Sequence, residues 1–334
     1  MKVLFIGGTG IISSGVTQLA VERGIDLYLF NRGRHSKFVP KGAKVIKGDI
    51  KDKSALAEAM KGKQFDVVVD WLAYVPKDVE ADIKLFKGNV GQYIFISSAS
   101  AYQKPPTHWL ITESTPLANP YWQYSRDKIA CEDRLMVEYR ENGFPVTIVR
   151  PSFTYGVNMI PAAINSWLKP WTLADRMRKG KKIIIHGDGT TLWTMTHNTD
   201  LAKGFVGLLG TIQAIGHAFH ITSDEVLTWN QIYQAIADAA EAKLNPVYIP
   251  SVVCCKFNPE LTGTLLGDKS WCAIFDNSKI KRFVPDFVAT VPFSEGVKCS
   301  IEWFEADPKR CVVDDDYNKF MDRTIAAYEK ALPK

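Results

Sequence analysis

The first fifteen residues constrain this chain more than any other stretch. Val3-Leu4-Phe5-Ile6 is a short apolar run, the pattern of a strand buried on both faces of a parallel sheet. It stops at Gly7-Gly8-Thr9-Gly10. A helical pattern starts at once, with Val16, Leu19 and Ala20 on one face and Gly24 at its end. Strand, glycine turn and helix together open a nucleotide-binding βαβ unit. Glycine at Gly7 allows the tight turn. Glycine at Gly10 lets backbone approach a pyrophosphate, which then sits on the unpaired N–H groups of the new helix. The spacing is G-x-x-G-x-x-S, with Ser13 in the third position. Gly7, Thr9, Gly10, Ile11 and Ile12 are the candidate contacts at this turn.

The following residues repeat the alternation. Strand patterns cover 27–30, 44–46, 65–69 and 93–96, with helical patterns from Ser54 and over Asp78–Asn89. With 334 residues, 46% of them hydrophobic, the chain can bury a large core. The alternation predicts an α/β protein with a Rossmann-type, doubly wound parallel sheet. The end of the second strand bears on cofactor type. A carboxylate there would bind ribose hydroxyls, whereas arginine accommodates a 2′-phosphate. Asn31-Arg32-Gly33-Arg34 holds no carboxylate, so NADP(H) is favoured, with NAD(H) as the alternative. Asp49, after the third strand, is a candidate acceptor for an adenine amino group or else a helix cap. Ile50, Leu72 and Ala73 complete the candidate cofactor contacts.

A net charge of +5 spread along the chain argues against a nucleic-acid partner. No run approaches membrane-spanning length, and the N-terminal apolar run meets Gly-Gly too early for a signal peptide. The six cysteines show no C-x-x-C spacing, so reduced thiols, a cytoplasmic location and no metal site are expected.

The fifth strand ends in Ser97-Ser98-Ala99-Ser100-Ala101-Tyr102, and strand carboxyl ends are where such sheets bind ligands. After a proline-rich loop, a helix opens at about Tyr121 and runs to about Glu141. Tyr124 and Lys128 are four apart and project from one face. An ammonium near a phenol favours the phenolate and makes it a better acid/base. A serine hydroxyl from the strand end can hold the reacting oxygen.

GGTG after the first strand, Gly48-Asp49 after the third, Ser-Ser-Ala at the fifth, Tyr-x-x-x-Lys, and Arg150-Pro151 after the strand Val146–Val149 come in a telling order. That order resembles the extended short-chain dehydrogenase/reductase family, in its NAD-dependent epimerase/dehydratase branch. The similarity covers about the first 225 residues well and the rest loosely. It implies that Tyr124 is the acid/base and that Lys128 lowers its pKa and binds nicotinamide ribose. It also makes Ser98 the catalytic serine, Ser100 a substrate contact, and Pro151 and Ser152 backbone against the nicotinamide. It implies a homodimer through helices at about 78–90 and 121–141. The dinucleotide-binding domain would comprise 1–156 and 195–223, and the substrate lobe 157–194 and 224–334. In that lobe Asn165–Lys179 reads as a helix and Thr228 as a cap, while His197, where the chain returns to the dinucleotide-binding domain, reads as structural rather than catalytic.

Two departures bear on the small-molecule substrate. Relatives acting on nucleotide sugars carry an arginine after Gly187-Asp188-Gly189, where this chain has Trp193. They also carry asparagine three residues after the arginine of the R-P pair, where this chain has Phe153. Loss of a bidentate partner argues against a nucleotide diphosphate handle. Trp193, Trp167 and Trp171 are either stacking surfaces for a sugar ring or core. The expected activity is an NAD(P)-dependent oxidoreductase or epimerase using Tyr-assisted hydride transfer. Ala99 and Ser100, in place of an acid after Ser98, disfavour a dehydratase. The alternative is a non-catalytic dinucleotide sensor or an RNA-associated protein on the same fold.

Overall fold

The computed structural model describes residues 1–33 and 38–333. Its centre is a seven-stranded sheet of β1 (Lys2–Ile6), β2 (Asp26–Asn31), β3 (Lys44–Lys47), β4 (Phe65–Asp70), β5 (Val90–Ile96), β6 (Val146–Val149) and β7 (Ala218–Phe219). Every pairing is parallel, and the spatial order is β7-β6-β5-β4-β1-β2-β3. The order reverses between β1 and β4, which opens a crevice at their carboxyl ends.

Helices α1 (Ile11–Glu22), α2 (Lys53–Met60), α3 (Pro76–Phe86) and α4 (Gln123–Asn142) follow strands β1, β3, β4 and β5. The central strands β1, β4, β5 and β6 are largely apolar because both their faces are covered, whereas the edge strand β3 is exposed. Val3 and Phe5 pack with Val16 and Ala20 of α1, while Leu4 and Ile6 pack with Val79 and Ile83 of α3. The second half of the chain supplies α5 (Trp171–Arg178), α6 (Asn198–Leu208) and α7 (Trp229–Ala239). Thr228 caps α7 in a reciprocal pair with Gln231, as its sequence predicts. Ile232 and Ile236 of α7 join Val297 and Ile301 in a separate apolar cluster. No helix among the described residues is long and apolar enough to cross a membrane.

The helix expected over Asn165–Lys179 is shorter, covering Trp171–Arg178 only. Proline at 170 disfavours a helical residue before it and cannot donate to the helical ladder. Asn165 instead ties the preceding loop, donating from Nδ2 to the carbonyls of Ile160 at 3.1 Å and Pro170 at 2.9 Å.

Helix α4 places charge on its buried face, through Lys128, Glu132 and Glu138. Glu132 makes a two-point pair with Arg150, from Nε to Oε1 at 3.0 Å and from Nη2 to Oε2 at 2.6 Å. Both side chains are buried, and the Ser97 hydroxyl also bonds Glu132. Removing one partner leaves the other charge buried and unmatched. Glu132→Ala should therefore lower the unfolding free energy by about 3–5 kcal/mol in urea titrations. A loss under about 1 kcal/mol, the range of an exposed pair, would show that Arg150 finds water instead.

Candidate functional site

The crevice begins at the glycine turn. Gly7 and Gly8 adopt φ of 102° and 93°, which side chains rarely tolerate. A Cβ at Gly8 would also come within 2.9 Å of Leu29 Cδ2. The sequence reading had singled out Gly7 and Gly10, and Gly8 proves the second constrained position. Gly10 has ordinary backbone angles, but it is the N-cap of α1 and is open, with only Ser13 Oγ at 3.5 Å from a Cβ there. A cradle at a helix N-terminus, with Ile11 and Ile12 in its first turn, fits a pyrophosphate.

Beside this turn, where Gly7 approaches Leu72, a cleft of about 720 Å³ lies at the ends of β2, β3 and β4 and along α3, lined by Asn31, Arg32, Asp49, Ile50, Leu72 and Tyr74 among others. Asn31 accepts from Gly33 N–H at 2.8 Å, while its buried Nδ2 has no partner among the described residues. A spare donor at the end of β2 suits a ligand oxygen. Arg32 lies 4.0 Å from Asp49, both about half exposed. Asp49 does not cap α2. Asp52 does, accepting from Ala55 N–H at 2.9 Å. That leaves Asp49 on the cleft wall. Arg34 lies outside the described residues.

At the far end of the crevice, Lys128 is buried and donates from Nζ to the carbonyls of Ala73 at 2.6 Å and Ile96 at 2.7 Å. Its ammonium also lies 4.6 Å from the Tyr74 ring centroid and 5.8 Å from that of Tyr124. Burial pulls its pKa down to about 8. Tyr124 is half-buried, and burial pushes its phenol up to about 12, against a lowering by its Ser98 hydrogen bond. The expected lowering by the ammonium does not govern the phenol in this structure. Desolvation dominates, and Lys128 spends its donors on backbone carbonyls.

Ser98 heads a chain of hydroxyls. Its Oγ lies 2.9 Å from Ser100 Oγ, which lies 2.7 Å from Ser125 Oγ. Ser100 N–H also donates to Ser98 Oγ at 3.2 Å. Ser100 is buried with protein groups on both sides, so it supports Ser98 from behind rather than facing a substrate. Pro151 is buried beside it, its carbonyl accepting from Ala99 N–H at 2.9 Å. The sequence reading missed Ser125, whose place next to Tyr124 carried no separate signal. It also missed the network behind Arg150. Tyr102 O–H donates to His220 Nδ1 at 2.9 Å, because His220 Nε2 must be the donor to the Asp276 carbonyl at 2.8 Å. Burial keeps His220 neutral, with a pKa down to about 4.

On the substrate side the alternatives for the tryptophans divide. Trp193 and Trp171 are core, Trp193 lying 5.3 Å from the Trp229 ring, and Trp167 is exposed. Trp193 therefore offers no open face for stacking. Phe153 is partly buried, and the Lys269 ammonium lies 4.8 Å from its centroid. His197 is a helix cap for α6, as a structural role requires.

The NAD dependent epimerase/dehydratase family model matches residues 3–222, and the chain belongs to that family. It is 23% identical over 291 residues to 2'-dehydrokanamycin reductase of Streptomyces kanamyceticus, covering 86% of this chain and 80% of the relative. It is 27% identical over 252 residues to the chloroplast stem-loop binding protein of 41 kDa b of Arabidopsis thaliana, covering 71% of this chain and 63% of that one. The UDP-glucose 4-epimerase of Bifidobacterium longum, solved with NAD+ and UDP, matches with a TM-score of 0.70 at 20% identity, over 93% of this chain and 100% of that one. At that identity the shared property is the fold. The chain thus stands among NAD-dependent epimerases, dehydratases and reductases.

The Lys128 shift has a consequence for stability. Between its folded pKa of about 8 and the ordinary lysine value, the unfolded chain binds the extra proton. Stability contributed by this group therefore rises with pH across that window and is lowest below pH 8. Urea midpoints of wild type and Lys128→Met, without cofactor, should diverge in favour of wild type from pH 7.5 to 9.5. Parallel curves would show that Lys128 keeps an ordinary pKa.

Proposed function

We propose that this protein is an NAD(P)-dependent oxidoreductase or epimerase acting at a hydroxyl-bearing carbon of a sugar or sugar-like substrate. The observation that carries the reading is the convergence of Tyr124, Ser98 and Lys128 at the carboxyl ends of β4 and β5, in one crevice with the glycine turn. A bound nicotinamide supplies the carbon that accepts or returns hydride. Tyr124 takes the substrate's hydroxyl proton as the C–H electron pair departs, so a C=O bond forms as O–H and C–H bonds break. Ser98 donates to the same oxygen and fixes its distance from the phenol. Lys128 holds the ribose side and, once turned toward the phenol, favours its ionised form. Reversal of these transfers on the other face of the carbon gives an epimer, and release of the ketone gives a dehydrogenase.

The unpartnered Asn31 amide and Arg32 favour NADP(H), since both offer donors to a 2′-phosphate and no carboxylate ends β2. The likeness to a stem-loop binding protein favours a second reading, RNA association on the same fold. Its discriminating weakness is that an RNA binder has no need of the Tyr124, Ser98 and Lys128 constellation.

Calorimetric titration should show NADPH binding about tenfold or more tightly than NADH, because hydrogen bonds to charged groups contribute roughly 1.5–3 kcal/mol. Arg32→Ala should narrow that gap. Equal affinities in wild type would refute the cofactor assignment. Tyr124→Phe should lower turnover on any substrate found by ~10²–10⁴-fold while leaving cofactor affinity nearly unchanged. Retention of wild-type turnover would remove Tyr124 from the chemistry and move the RNA-associated reading ahead.

A further inference from the structure

Tyr74 belongs to two parts of this site at once. It lines the cleft together with Asn31 and Arg32. Its ring centroid also lies 4.6 Å from the Lys128 ammonium and 6.4 Å from the Tyr124 ring. Sequence reasoning missed it, because nothing in its neighbourhood marks it as a partner of α4.

Lys128 sits in an enclosure. Two of its N–H groups are taken by the carbonyls of Ala73 and Ile96. Around the ammonium stand three rings, those of Tyr74, Phe95 at 4.9 Å and Tyr124 at 5.8 Å. Ring faces attract an ammonium, more strongly where water is scarce. The three walls differ in freedom. Phe95 is fully buried in β5. Tyr124 stands in the first turn of α4 and packs on Trp122 at 4.9 Å. Tyr74 is 47% exposed, and no hydrogen bond reaches its hydroxyl among the described residues. Its backbone, by contrast, is tied down. Asp78 Oδ2 accepts from Tyr74 N–H at 2.9 Å and from Val75 N–H at 3.2 Å. The ring can therefore change rotamer while the loop stays in place.

The same loop leads from the glycine turn to the acid/base. At one end Leu72 lies against Gly7, where a Cβ would come within 3.2 Å of Leu72 Cγ. At the other end the Ala73 carbonyl holds Lys128, and Tyr74 follows. A dinucleotide with its pyrophosphate at the glycine turn and its nicotinamide beside Tyr124 must run along residues 72–74. On that line it meets the Tyr74 ring.

We propose that Tyr74 is a positioning residue, the movable wall of the Lys128 enclosure, which a dinucleotide turns aside as its nicotinamide half reaches Tyr124. This rests on the oxidoreductase reading above and adds a residue to it. Turning aside breaks the attraction between ring and ammonium. The wall therefore weakens binding of the nicotinamide half and leaves the adenosine end alone. Until then it shields the Lys128 ammonium on the side of the cleft.

The test compares two ligands by calorimetric titration of the full chain. NADP+ fills both halves of the site, whereas adenosine 2′,5′-bisphosphate fills the adenosine end only. Tyr74→Ala should bind NADP+ about 2- to 30-fold more tightly than wild type, the range of one cation–π contact, and bind the bisphosphate equally. Equal bisphosphate binding also reports that the variant is folded. Tyr74→Phe keeps the ring and should match wild type with both ligands. In a Lys128→Met background the gain from Tyr74→Ala should vanish, because no ammonium holds the ring. The proposal is overturned if the gain survives Lys128→Met or appears equally for the bisphosphate. Unchanged or weaker NADP+ binding in Tyr74→Ala also overturns it, leaving Tyr74 a bystander or a contact of the bound cofactor. If NADP+ does not bind wild type, NAD+ and ADP are compared in the same way. If neither dinucleotide binds, the oxidoreductase reading fails on its own. Acetic anhydride labelling, read by peptide mass spectrometry, still decides the wall. Lys128 should acetylate several-fold faster in Tyr74→Ala than in wild type or Tyr74→Phe, and equal rates would show that Tyr74 encloses nothing.

Discussion

The buried pair between Glu132 and Arg150 sets the geometry on which the rest of this site depends. Arg150 stands just past the end of β6, and Ser97, which also bonds Glu132, just past the end of β5. One carboxylate therefore fixes helix α4 against two neighbouring strand ends. One turn earlier along the helix, Lys128 bonds the carbonyl at the end of β5 and another just beyond β4. One turn earlier again stands Tyr124. The four-residue steps from Tyr124 to Lys128 to Glu132 turn a helix face into a ruler laid across the sheet's carboxyl edge. A buried ion pair adds little net stability compared with an apolar contact of the same size, but it tolerates only one arrangement of its partners. Here that arrangement sets where the phenol of Tyr124 can stand relative to Ser98.

The parts of this structure legible in the sequence are those governed by local repetition. The continuous apolar strands, their helical partners and the glycine turn follow from unbroken apolar runs, from a period of 3.6 and from backbone angles that few residues tolerate. Thr228 announces a helix start because a cap bonds a backbone group only three residues on. The Tyr124 and Lys128 pair is visible for the same reason. What could not be read are contacts between segments distant in sequence. Glu132 finds Arg150 across 18 residues, and nothing in either neighbourhood marks the other as its partner. Lys269 meets Phe153 and Trp193 only after three segments converge, and the Trp193 ring alone left stacking surface and core equally open. Trp193 became core because Trp229, at the start of α7, covers it. Of the two roles open to Asp49, the helix cap falls to Asp52 instead, because Asp49 and Asp52 are equally good acceptors and only backbone direction distinguishes them.

The sign of the electrostatic shifts was also beyond the sequence. Spacing alone places an ammonium near a phenol, and proximity argues for a lowered phenol pKa. Burial acts on both groups at once, however, and opposes the charged form of each. Tyr124 moves up and Lys128 moves down because both lie where water is scarce. The two carbonyls that hold Lys128 favour its charge but draw it away from the phenol oxygen.

This balance gives the two directions of the proposed reaction different requirements. Proton donation from neutral Tyr124 to an oxygen that gains hydride is downhill, since an alkoxide is a far stronger base than a phenolate. Proton removal from a hydroxyl needs the phenolate, which a pKa of about 12 makes scarce near neutral pH. Lys128, whose ammonium has a third N–H beyond the two that bond Ala73 and Ile96, would then favour the ionised phenol, and Ser98 would keep its donor on the shared oxygen. The chain Ser125–Ser100–Ser98 supplies that direction. If Ser125 donates to Ser100 and Ser100 to Ser98, the Ser98 proton is left facing Tyr124 and the substrate, and each bond polarises the next. For the proposed reaction, the resting arrangement therefore suits proton donation, the reductive half, better than proton removal.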